Sequence, residues 1–148
     1  MIKTIIFDMG GVIITLDPNE ALRRFAVLGM NDFVKQMDPY TQGGILGELE
    51  EGKLSEEEYR QRLSEICGRT LSYEEIQHSW MGYMKEVPAR NLALLRKLKK
   101  EGYRIVLLSN TNPYIADWTD SENWDVEHHA IQDYFDAIYR SFEVKYMK

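Results

Sequence analysis

The run Lys3-Thr-Ile-Ile-Phe-Asp-Met-Gly-Gly-Val-Ile-Ile14 constrains this chain more than any other stretch. A β-branched apolar segment, read as a buried strand over residues 2–8, ends in one carboxylate, Asp8. It then turns at once through Gly10-Gly11. An acidic group at the end of a buried strand is costly unless it is hydrogen-bonded, paired or metal-bound. In open α/β sheets, ligands settle in the crevice at the carboxyl ends of the strands. Asp8 is therefore the first candidate for chemistry.

The chain beyond that strand changes character twice. Asp17-Pro18-Asn19-Glu20 is a helix start, with Asp as N-cap, Pro in the first turn and Glu three residues after the cap. Leu22, Phe25, Ala26 and Gly29 share a face of the helix that follows. Ser55-Glu-Glu-Glu58 and Ser72-Tyr-Glu-Glu75 are two further capping boxes. The first opens a helix with Tyr59, Leu63 and Ile66 inward; the second opens one with Ile76, Trp80, Tyr83 and Met84 inward. Residues 17–86 thus read as almost wholly helical. After Val87-Pro88, a helix with Leu92, Leu95 and Leu98 inward ends in Lys97, Lys99, Lys100 and Gly102, favourable helix-end chemistry. Tyr103–Leu108 is a second buried strand running into Ser109-Asn110-Thr111-Asn112, and a third short strand is expected at Ala137–Ser141. The pattern predicts an α/β fold, a parallel sheet whose first crossover is interrupted by a helical module.

Composition narrows the function classes. The 148 residues, 44% hydrophobic and 28% charged, are those of a folded globular domain. A net charge of -6 argues against nucleic acid and anionic membrane surfaces as partners. Cys67 is the sole cysteine, which excludes intrachain disulfides and cysteine-rich zinc sites. The N-terminal apolar run is too short for a signal peptide or membrane span, so a cytoplasmic location is the default expectation. Adjacent parallel strands would bring Asp8 and Ser109-Asn110 into one crevice. A carboxylate beside a hydroxyl and free backbone N–H groups suits phosphate chemistry.

These residues resemble the haloacid dehalogenase (HAD) superfamily. Ile6-Phe7-Asp8-Met9-Gly10-Gly11-Val12 is similar to its motif I, and Leu107-Leu108-Ser109-Asn110 to its motif II. The helical segment at 17–86 matches a type-1 cap, with 1–16 and 87–148 as the core. Leu49-Glu-Glu-Gly-Lys-Leu-Ser55 in the cap and Ser109-Asn-Thr-Asn112 look most like the bacterial α-glucose-1-phosphate phosphatase subgroup. The resemblance implies a HAD-like Rossmannoid three-layer parallel sheet, incomplete at the C-terminus, with an inserted all-helical cap. It implies a Mg²⁺-dependent phosphatase acting on a small phosphorylated metabolite, such as a sugar phosphate, through an aspartyl-phosphate. Asp8 would be the nucleophile and, with the carbonyl of Gly10, a Mg²⁺ ligand. Gly10, Gly11, Ser109 and Asn110 would hold phosphate oxygens, and Glu50 would face the substrate. Lys148, after Ser141-Phe-Glu-Val144, matches the motif III lysine that neutralises charge. The competing reading is a non-catalytic binding module that keeps the fold. A dehalogenase or phosphonate hydrolase is less consistent, because the expected additional Lys or Arg pattern is missing.

Two departures from the family follow. The position two residues after the nucleophile, where most members carry an acid, is Gly10. General acid–base help is worth about 10²- to 10⁴-fold, so its loss favours good leaving groups such as the anomeric oxygen of a sugar 1-phosphate. The family also continues past the position of Lys148 into a strand and an acidic motif IV. The chain therefore reads as truncated, with weak Mg²⁺ binding and little turnover expected. Strand 1 would keep an unpaired apolar edge through which copies associate. Elsewhere the plainer readings prevail: His128-His129 as surface, His78 as a boundary residue, Cys67 as a small buried hydrophobe. Asn112 and Trp118 are expected along the crevice.

Overall fold

The computed structural model describes residues 2–30 and 43–148. Residues 31–42 of the expected cap lie outside them. Strands β1 (Thr4–Phe7), β4 (Arg104–Ser109) and β5 (Ala137–Arg140) form a parallel sheet in the order β1-β4-β5. Phe7 pairs with Leu107, and Ser109 with Arg140. Asp8 and Ser109-Asn110 therefore leave the sheet at the same end. Side chains alternate across a strand. Ile105 and Leu107 go to a fully buried face, packed with Leu92 and Leu95 of α5 (Ala89–Lys100) in one core. On the opposite face Ile6, Leu108 and Tyr139 are exposed.

The connection from β1 to β4 carries the helical module. Its helices are α1 (Pro18–Val27), α2 (Gly44–Glu50), α3 (Glu56–Cys67) and α4 (Tyr73–Met81). Their starts follow from local chemistry. The Asp17 side chain accepts the Glu20 N–H at 3.1 Å, and reciprocal capping boxes close at Ser55/Glu58 and Ser72/Glu75. Phe25 and Trp80 meet edge to face at 5.3 Å between centroids, joining α1 to α4. The inward face of α1 is rotated from the expected one. Ala21 and Phe25 are buried, while Gly29 lies past the helix end at φ +104° and is exposed. Ile66 also points outward.

Four elements escape the periodicity. Strands β2 (Thr15–Leu16) and β3 (Met84–Glu86) pair antiparallel where the module leaves and rejoins the core. They are too short to show an alternation. The segment after β4, expected as a polar connection, contains α6 (Pro113–Thr119), capped by Asn112 Oδ1 accepting the Ile115 N–H at 3.2 Å. Asn112-Pro113 is the same cap-plus-proline signal as Asp17-Pro18. A four-residue helix, α7 (Ser141–Val144), follows β5. No helix among the described residues is long and apolar enough to cross a membrane.

Candidate active site

The turn after β1 holds Asp8 at the sheet's end. Met9 O accepts the N–H groups of Ile13 and Ile14 at 2.9 and 3.0 Å, and the Gly11 N–H returns to Ile14 O at 2.8 Å. Gly11 sits at φ +74°, a conformation few side chains tolerate. This tight turn aims the Met9 N–H at Asp8 Oδ1, 2.7 Å away. A Cβ on Gly10 would lie 3.2 Å from Leu16 Cδ1, a tight contact with the end of a flexible side chain.

Lys148 reaches the same carboxylate. Its Nζ is 2.6 Å from Asp8 Oδ1 and also donates to Leu108 O at 3.0 Å, while its backbone N–H donates to Asn110 Oδ1 at 3.1 Å. One residue is thus bonded to the ends of both β1 and β4. Ser141 adds a second tie: its Oγ accepts the Thr111 N–H at 3.0 Å and donates to Thr111 O at 3.2 Å. Asp8 keeps 43% of its side chain accessible, and both of these contacts fall on Oδ1. Among the described residues Oδ2 has no partner.

These groups form one wall of a cavity of about 290 Å³. Asp8, Gly10, Asn110, Thr111 and Lys148 come from the core, while Glu50, Trp80 and Tyr83 come from the helical module. The expected residues Asp8, Gly10, Asn110, Glu50 and Lys148 therefore share one space. Ser109 and Gly11 do not line it. Ser109 is buried beneath, its hydroxyl 3.4 Å from Asn110 O, and Gly11 belongs to the turn. Asn112 is fully buried as a helix cap. Trp118 is placed elsewhere, donating to Asn123 O at 3.2 Å, because α6 turns it away from the cavity. Thr111 was not anticipated, although it sits within the polar run after β4. His129 Nδ1 lies 3.4 Å from Asp125 Oδ2 in a remote loop. Among the described residues no three His, Cys, Asp or Glu side chains cluster to hold a metal.

Glu50, expected to face the substrate, lies on the cavity wall from the side of the helical module. It closes α2 and is only 5% exposed. Burial pushes its carboxyl up to about 7, against the opposing pull of the neighbouring Asn112 side chain. Around it lie the buried polar atoms Tyr59 Oη, Trp80 Nε1 and Asn112 Nδ2, Asn112 acting on the Glu50 carboxyl and Trp80 on the Tyr59 hydroxyl. A strand-end carboxylate and a lysine facing a buried carboxyl across a small polar cavity can bind an anion and move a proton.

Known proteins are similar to this chain in sequence and fold. No family model matches the chain. D-ribitol-5-phosphate phosphatase of Bacteroides thetaiotaomicron is 43% identical over all 148 residues, which span 71% of that protein. The structure of a predicted HAD-like family hydrolase from Porphyromonas gingivalis superposes with a TM-score of 0.93 at 36% identity, covering all of this chain and 70% of that one. A HAD family enzyme from Bacteroides thetaiotaomicron, crystallised as a single-residue variant with magnesium and inorganic phosphate, gives 0.90 at 30% identity, covering all of this chain and 73% of its own. With 43% identity to a phosphatase covered over 71% of its length, and HAD structures superposing over the whole chain, the chain belongs to the HAD-like hydrolase family.

Proposed function

We propose that this protein hydrolyses a small phosphomonoester, a phosphorylated sugar or polyol, with Asp8 as the nucleophile. The observation that carries the reading is Lys148 Nζ at 2.6 Å from Asp8 Oδ1 on the wall of a cavity between the core and the helical module. A carboxylate fixed by one N–H and one ammonium is a poised oxygen nucleophile. The same ammonium neutralises charge as a phosphoryl group arrives. Asn110 and Thr111, which follow β4, line the space where phosphoryl oxygens would lie. Attack by Asp8 on phosphorus gives an aspartyl-phosphate and releases the alcohol. Water then restores Asp8 and frees inorganic phosphate.

The donor set fits Mg²⁺. Asp8 and the Gly10 carbonyl offer hard oxygen ligands on the same wall, and Mg²⁺ is often held by one or two carboxylates with the rest supplied by water and substrate phosphate. Bound there, Mg²⁺ would draw charge from the phosphoryl oxygens. Magnesium in the related enzyme supports this choice. The 43% identity to a phosphatase named for D-ribitol 5-phosphate favours a polyol or sugar phosphate over the sugar 1-phosphates alone.

The test is turnover of p-nitrophenyl phosphate and ribitol 5-phosphate with Mg²⁺ titrated to millimolar levels. Expected is phosphate release that needs the metal and drops at least about 10³-fold in Asp8→Asn. Lys148→Met should lower it by about 10²-fold or more. Turnover unchanged in Asp8→Asn would remove the reading.

A further inference from the structure

Position 10 is glycine and holds no side-chain proton donor. An alkoxide leaving phosphorus nonetheless needs a proton. Among the described residues, the cavity wall carries one carboxyl besides Asp8. We propose that Glu50 is the general acid: its carboxyl protonates the departing alkoxide, and the carboxylate so formed then takes a proton from the hydrolytic water. The inference rests on the phosphatase reading above.

Position supports it first. In-line displacement puts the leaving oxygen on the far side of phosphorus from Asp8, toward the wall supplied by the helical module. Glu50, at the end of α2, is on that wall. The protons and bonds balance. As Asp8 Oδ bonds to phosphorus, the ester P–O bond breaks and the Glu50 proton goes to the alcohol. A water oxygen then bonds to phosphorus, the Asp8–phosphorus bond breaks, and the water proton returns to Glu50.

Surroundings support it second. Glu50 has no ion pair among the described residues. The groups facing it are Tyr59 of α3, Tyr83 ahead of β3, and Asn112 capping α6, with Asp8 and Lys148 across the cavity. None of the near ones is charged at neutral pH, so burial favours the neutral acid. Tyr59 Oη and Asn112 Nδ2 are buried polar atoms beside it, and the Asn112 amide already pulls toward the ionised form. Once the proton has gone, that amide can donate to the carboxylate.

Glu50→Gln keeps the shape and removes the proton. Measured as kcat/KM, which reports the steps through alcohol release, activity on ribitol 5-phosphate should fall about 10²-fold further than on p-nitrophenyl phosphate, whose leaving group departs without a proton. An equal fall on both esters, the mark of a structural or binding role, overturns the inference. If Glu50→Gln does not fold, the wild-type protein decides. The ratio of the two kcat/KM values should drop about tenfold per pH unit above the Glu50 titration, and a pH-independent ratio overturns the assignment. Wild-type turnover of p-nitrophenyl phosphate alone leaves the phosphatase reading standing and overturns this one. Turnover of neither ester overturns both.

Discussion

A carboxyl group is readable in a sequence when its setting is local and unreadable when its setting is tertiary. Asp8 announces itself because the strand and the glycine turn that position it are its own neighbours. Glu50 precedes Gly52 in what looks like an exposed turn, and only the packing of α2 onto the core puts it at 5% exposure. Its cost is measurable. The folded-state value of about 7 lies above the ordinary 4.5, so the folded protein binds more protons than the unfolded chain between those limits. For Glu50 alone, stability is then full below pH 4.5 and declines as pH rises through 7, by roughly 3 kcal/mol. The strongly lowered carboxyl of Glu20, held by Arg23 and Arg24, acts in the opposite sense and at lower pH, where its contribution is lost on acidification. Urea unfolding of wild type and Glu50→Gln at pH 5 and pH 8 separates the two. Wild type should lose stability over that span relative to the variant. Parallel behaviour would mean that Glu50 is solvated.

At the scale of elements, local chemistry accounts for the helix starts, and long-range contact accounts for what was not foreseen. Asp17, Ser55 and Ser72 mark their helices because caps are built from residues three apart. The β2–β3 pair and the course of α7 depend on segments distant in sequence meeting, which no period reports. Gly52 shows how tightly one such meeting is made. It sits at φ +69°, and a Cβ there would lie 2.2 Å from Phe142 O in α7. The turn that follows Glu50 at the end of α2 therefore rests on the backbone that leads to Lys148. Gly68 has nearly the same φ, +67°, with nothing within 4 Å, and so isolates the backbone cost. Gly68→Ala should destabilise by about 1 kcal/mol. Gly52→Ala should cost at least about 1 kcal/mol more and should also lower phosphatase activity, by moving Lys148 away from Asp8. Equal thermal shifts for the two variants would show that the α2–α7 contact yields freely.

Across the whole molecule, the two walls of the cavity come from separate parts of the chain, and the sheet that carries the core wall is covered unequally. Leu92 and Leu95 of α5 seal one face, whereas Ile6 is 62% exposed on the other, beside Leu108 and Tyr139. Among the described residues β1 pairs with β4 alone, so its outer backbone groups and Ile6 lie on the same flank. Sheet edges flanked by apolar side chains recruit further strands, and a lysine on the edge is a common means of preventing it. The 148-residue chain should therefore self-associate through β1 as concentration rises. Ile6→Lys should shift it toward monomer while leaving the fold intact, because position 6 faces away from the sealed side and contributes nothing to that core. Sedimentation velocity over a concentration series reads both effects. A wild-type chain that stays monomeric at the highest concentrations, or an Ile6→Lys variant that associates as before, would place any assembly elsewhere than on this strand.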